Sequence, residues 1–143
     1  MLKSGNMDLS LHLRIPADKC YLDNAAQTLE GICDHFSVRE SDRERMKSVL
    51  RMSLDKIIDA SHVSNTGLFD LKFSVIKDKL LITVEDFMID ENRPADKLPQ
   101  LLSEEQVRET LGNVVPMVDE FKVLRGNGRH ASYSMLFNLV MAE

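Results

Sequence analysis

The chain has 143 residues, 43% of them apolar and 29% charged, enough for one modest hydrophobic core and too little for two independent ones. Eighteen basic against 23 acidic residues give a formal charge of -5, and the basic residues are scattered rather than striped, which argues against direct binding of nucleic acid. No apolar run approaches the roughly 18 residues of a membrane-spanning helix, no hydrophobic leader follows Met1, and Cys20 and Cys33 lack C-x-x-C spacing. The expectation is a single domain over residues 1–143, cytoplasmic, with reduced thiols and no membrane attachment.

Leu9, Leu11, Leu13 and Ile15 alternate with polar residues, the period of a strand with one buried face, and Pro16 closes it. Pro16 and Asp18 suit the start of a helix, in which Leu22, Ala25, Ala26, Leu29, Ile32, Cys33 and Phe36 recur at helical spacing. After a polar stretch around Ser41 and Asp42, Met46, Val49, Leu50, Ser53, Ile57 and Ala60 mark a second long helix ending near His62. The period returns to two at Phe69, Leu71, Phe73 and Val75, and after Lys77 and Asp78 comes Leu80 to Val84, which together predict a hairpin.

Residues 87–102 are polar and carry Pro94 and Pro99, so they read as a long lid-like loop. Ser103 and Gln106 form a capping-box pair at the start of a further helix. That helix breaks near Gly112, since Pro116 suits a first turn but not a helix interior. Phe121 to Leu124 reads as a strand, Gly126 to Gly128 as a turn, and Ala131, Tyr133, Met135, Phe137 and Leu139 as the inward face of a last strand. The order β, α, α, β, β, lid, α, β, β implies an α+β two-layer sandwich, with a mixed, mostly antiparallel sheet covered by helices on one face.

From Leu9 to Met141 this order resembles the histidine-kinase-type (GHKL, or Bergerat) ATPase domain, in the compact form of bacterial anti-sigma factors that double as serine kinases. The family carries an E-x-x-x-N pair on its second long helix. The matching place here is Asp55-Lys56-Ile57-Ile58-Asp59, so the resemblance implies Asp55 as general base and Asp59 as a magnesium ligand. Carboxylates four residues apart share a helix face. The family's adenine contact, an Asp at the end of the second hairpin strand, falls on Asp86 within Val84-Glu85-Asp86. Met117 to Val123 is similar to the segment that leaves the family's last helix.

Two glycine boxes of the family are missing. Its adenine motif is D-x-G-x-G, yet Asp86 is followed by Phe87, Met88, Ile89 and Asp90. Glycine serves there because nucleotide approaches backbone that a β-carbon would block. At the phosphate loop the aligned stretch reads Arg108, Glu109 and Thr110, with Gly112 alone nearby, and no glycine lies between Gly67 and Gly112. The cofactor-binding candidates are therefore Asp86 and Gly112, the metal candidate Asp59 and the catalytic candidate Asp55. Asp55 and Asp59 also read as two acids on a solvated helix face, and Asp86 as a polar residue that terminates its strand.

Two readings follow. In the first, the chain is a regulatory protein-binding module resembling an anti-sigma factor, a pseudokinase in transcription regulation and signal transduction that works by partner switching and needs no cofactor. The resemblance implies as partners a sigma factor or an antagonist domain, and a homodimer. In the alternative, it is an active serine/threonine protein kinase that uses ATP and magnesium. A third reading makes His62 or His130 a phosphotransfer residue, against a helix-terminal His62 and an exposed His130 on an edge strand. Cys20, Cys33, Met46 and Met135 read as core residues. Arg43, Glu44, Arg45, Lys47 and Arg51 read either as a docking surface or as a solvated helix face.

Overall fold

A computed structural model of the chain describes residues 9–61, 67–88, 101–126 and 130–140. Its elements are β1 (Leu9–Pro16), α1 (Leu22–His35), α2 (Glu40–Ser61), β2 (Gly67–Ile76), β3 (Lys79–Met88), α3 (Glu104–Thr110), β4 (Glu120–Gly126) and β5 (His130–Asn138). Single 3-10 turns lie at Lys19–Tyr21 and Val115–Met117. The strands form one sheet in the order β1-β2-β3-β5-β4. The expected mixed, mostly antiparallel sheet is antiparallel at every pairing of the described strands.

Alternation places Phe69, Leu71, Phe73 and Val75 of β2 beside Leu80, Ile82 and Val84 of β3 and Tyr133, Met135 and Phe137 of β5, all buried on one face. Against this face lie Met46, Val49, Leu50, Leu54 and Ile57 of α2 and Ala25, Leu29, Ile32 and Cys33 of α1. Each large side chain removed from water contributes about 2 kcal/mol before the entropy of ordering it is set against it. The inward row expected for the last strand, Ala131 to Leu139, is buried throughout.

Several boundaries shift for local reasons. Pro16 stays in β1, paired with Leu68, and the Ala17 amide donates to Gly67 O (3.0 Å). Asp18 then caps the 3-10 turn by accepting from the Cys20 amide (3.0 Å), so α1 starts at Leu22. The polar stretch before Met46 is helical: α2 starts at Glu40, with Glu40 and Asp42 in the first turn, where acids complement the helix dipole. Strand β3 runs past Val84 to Met88. Of the lid-like loop 87–102, residues 87–88 are strand and Leu101 and Leu102 are core, while 89–100 lie outside the described residues.

The connection from α1 to α2 is a Schellman turn. Ser37, at φ 54, donates to Asp34 O (3.3 Å), Val38 donates to Cys33 O (3.0 Å), and Val38 and Cys33 are both buried. The capping box at α3 forms in both directions: Gln106 N to Ser103 Oγ (3.2 Å) and Ser103 N to Gln106 Oε1 (2.9 Å). As expected, α3 ends just before Gly112, and Pro116 sits in the following 3-10 turn. Arg45 of α2 clamps that turn, donating to Met117 O (2.9 Å) with its guanidinium carbon 5.7 Å from the centre of the Phe137 ring. The first glycine of the expected 126–128 turn ends β4; residues 127–129 lie outside the described residues.

Candidate functional site

The inner sheet face holds a carboxylate, Asp86, only 1% exposed. It pairs with Phe69 on one side and Ala131 on the other. Because the strand continues to Met88, Asp86 does not terminate it; alternation turns the carboxylate inward among apolar neighbours. One step along the neighbouring strand, Tyr133 donates its hydroxyl to Ser53 Oγ (3.0 Å), and Ser53 donates to Leu50 O (3.0 Å). Burial pushes the Tyr133 phenol well above the ordinary tyrosine value, the bond to Ser53 opposes this, and the charge of Asp86 adds to the rise. A carboxylate, a phenol and a hydroxyl thus share the interior between the sheet and α2.

Asp55 and Asp59 belong to a different neighbourhood. On α2, positions 43, 47, 51, 55 and 59 recur every fourth residue and face α1 and the turn before it. Arg43 pairs with Glu30 (2.9 Å) and Asp34, Lys47 with Glu30 (2.7 Å), and Arg51 with Asp23 (2.9 Å). The sign then reverses. Lys19 lies between Asp55 (3.3 Å) and Asp59 (2.7 Å) and bridges them.

Hydrogen bonds that Lys19 donates to Asp59 and then Asp55 raise its pKa, and bonds donated by Lys47 and then Arg43 lower that of Glu30. The basic residues read as a docking surface are in part this seam. The structure therefore brings Asp55 and Asp59 together around an ammonium group and places Asp86 on the sheet beneath α2. Among the described residues, no three His, Cys, Asp or Glu side chains gather as a metal-binding set.

Gly112 is exposed at the end of α3, where a β-carbon would meet only Glu109 O at 3.4 Å and Arg108 O at 3.6 Å, so the backbone does not demand glycine. Gly126 is different. A β-carbon there would lie 2.1 Å from Glu104 N and 2.8 Å from Glu104 Cα, because the start of α3 rests directly on the end of β4. Cys33 is a core residue whose thiol burial pushes up to about 11. Cys20, expected in the core, is exposed, with its Sγ 2.9 Å from Asp18 Oδ1. His130 is exposed on β5, which lies between β3 and β4 rather than at the expected edge, and pairs with Phe87 in the ladder; His62 lies outside the described residues.

Sequence reasoning did not assign Tyr133, Ser53 or Lys19 to a site. A signal for the first two was present, since each is a hydroxyl-bearing residue within an otherwise apolar inward stripe. Lys19 could have been found only from the tertiary approach of the turn before α1 to α2.

No protein-family model matches the chain, and no curated protein matches it in sequence. Solved structures do match in fold. The RsbU and RsbW domains of Rv1364c from Mycobacterium tuberculosis superpose with a TM-score of 0.65 at 12% identity over 92% of this chain. This chain spans about a third of that one, 32% of its length. The histidine kinase AdeS of Acinetobacter baumannii matches over 90% of this chain and 68% of its own, with a TM-score of 0.44 and 13% identity. The antiparallel sheet with helices on one face is the fold that this chain shares with the Rv1364c domains.

Proposed function

We propose that this chain is a regulatory protein-binding module on the histidine-kinase-type ATPase fold, resembling an anti-sigma factor and acting by partner switching without phosphoryl transfer. The observation that carries this reading is the course of β3 past Asp86. Met88 stands where the fold's adenine motif calls for its first glycine, and the strand runs through it: Phe87 pairs with Leu68 and His130, and Met88 pairs with Gly67. A residue with a β-carbon, held in a ladder, denies the close backbone approach that nucleotide requires.

Two further features count against a magnesium–nucleotide site. Lys19 bridges the carboxylates that would serve as base and metal ligand, and a second Asp in place of the family's Asn adds negative charge where a triphosphate would lie. These residues do not fit the metal–nucleotide pair. The proposed partners are protein domains, with a sigma factor or its antagonist suggested by the fold resemblance and a second copy of the chain as a further possibility.

Calorimetric titration with ATP and ADP in magnesium, paired with a thermal-shift scan, tests this. A ligand that prefers the folded state must stabilise it by mass action. The expected result is no heat and no shift at millimolar nucleotide; micromolar binding overturns the reading.

The buried Asp86 favours one alternative, an active serine/threonine kinase in which Asp86 holds the adenine amino group. In that case Asp86→Asn removes nucleotide binding while the fold persists.

A further inference from the structure

The sheet face opposite the helices carries an apolar strip. Ile76 of β2, Leu81 of β3 and Leu124 of β4 are 55%, 37% and 49% exposed, and Leu136 of β5 lies between the last two. The register puts Leu81 beside Leu136, alternation turns Leu124 outward, and the irregularity between Val123 and Arg125 turns Arg125 outward as well. Shallow grooves of about 310 and 330 Å³ flank the Leu81–Leu136 pair. Crossing four strands, the strip is about 14 Å long, since strands lie about 4.8 Å apart. That is about two and a half turns of helix, which presents apolar anchors at i, i+3 or i+4, and i+7.

The charge around the strip opposes that of the whole chain. By alternation this face carries Arg14, Lys72, Lys79, Lys122 and Arg125 against Asp70, Glu85 and Glu120 among the described residues, an excess of two positive charges, whereas the chain as a whole is at -5. Arg14–Asp70 (3.3 Å) and Lys122–Glu120 (3.0 Å) neutralise each other locally, and Lys72 and Lys79 stand exposed. Two copies meeting face to face would set one basic excess against the other, a cost that association must overcome.

We propose that the outer sheet face docks an acidic amphipathic helix of a partner protein, with apolar anchors over Ile76, Leu81, Leu136 and Leu124 and carboxylates toward Lys72 and Lys79. The proposal deepens the protein-binding reading above, from which it takes the existence of a protein partner.

The test uses fluorescence anisotropy and amide chemical-shift mapping on the whole chain with three synthetic helical peptides: a leucine/glutamate amphipath, its leucine/lysine twin, and the acidic peptide with scrambled leucines. The acidic amphipath is expected to bind saturably and at least about tenfold tighter than either control, because matched charge sets specificity. Its shifts are expected on the amides around Leu81 and Leu136. Lys72→Glu combined with Lys79→Glu, both exposed and therefore neutral to folding, is expected to weaken binding about tenfold or more at unchanged Tm.

The proposal is overturned by absence of binding, by equal affinity for the charge twins, by shifts confined to the helical layer, or by a dimer in sedimentation that Leu81→Glu dissociates. Nucleotide binding would end the reading of the cleft without moving these amides. Failure of the peptides would leave a nucleotide-free cleft as it stands.

Discussion

On the flank of α2 that faces α1, Arg43, Lys47, Arg51, Asp55 and Asp59 meet opposite charges in a seam that water still reaches, whereas the side against the sheet holds Ser53 on Tyr133, with Asp86 nearby, out of solvent. The difference is one of dielectric. In the seam each ion pair exchanges hydration for a partner in a medium close to water, and the net gain is small. Under the sheet a polar group without a partner would cost its full desolvation, so each one present constrains its surroundings. A carboxylate kept in such a place is a stronger functional candidate than two carboxylates at the surface.

The sharpest test of this contrast is the apolar packing that surrounds the buried groups. Leu54→Ala, at a fully buried position of α2, is expected to destabilise by about 3 kcal/mol through lost transfer energy and the cavity left behind. Urea denaturation should show a lower midpoint at unchanged slope. A loss below about 1 kcal/mol would mean that the layers pack far more loosely than the burial indicates.

Next in size is the hydroxyl chain. Tyr133→Phe removes the donor to Ser53 while Ser53 keeps its bond to Leu50 O. The expected cost is about 1 kcal/mol, the net worth of one intramolecular hydrogen bond. No change in Tm would place the buried polar groups on the same footing as the seam and dissolve the distinction.

Comparable in size and opposite in sign is Ser37→Gly. Ser37 occupies the left-handed position of the Schellman turn at φ 54, where glycine avoids the β-carbon strain, so a gain of about 1 kcal/mol is expected in thermal unfolding.

Ser37 also marks a limit of what was legible in the sequence. The strand period of Phe69 to Val75, the capping box at Ser103 and Gln106, and the inward row from Ala131 to Leu139 are local patterns, and each appears in place in the structure. The Schellman turn was not legible, because serine stands where glycine would have announced it. Nor was the first turn of α2, whose residues carry no apolar repeat ahead of Met46. Spacing said that Asp55 and Asp59 share a helix face but could not say which neighbour that face meets. The structure answers with Lys19, a residue 36 positions before Asp55. Glycine count misled in a similar way: Gly112 was singled out by its place in an alignment, while close approach makes Gly126 the glycine that the fold requires.

The smallest effect belongs to the seam itself. Asp59→Asn leaves Lys19 with Asp55 in exposed surroundings, and Tm is expected to move by less than about 2 °C. The response to pH separates the two ends of the seam. Glu30 titrates below its ordinary value because Lys47 and Arg43 bond its carboxylate, so its contribution is present above about pH 4.3 and fades as pH falls through the lowered folded-state value. Lys19 titrates above its ordinary value, so its contribution is present below about pH 10.4 and is lost only as pH rises through the raised one. Between these limits both ends are charged. Glu30→Gln should therefore differ from the parent chain at pH 7 and converge with it in acid, whereas Lys19→Met should converge only in strong alkali. A Glu30→Gln difference that persists undiminished at pH 2 would show that Glu30 acts through packing rather than charge, and the seam would then resemble the buried side of α2 more than the surface.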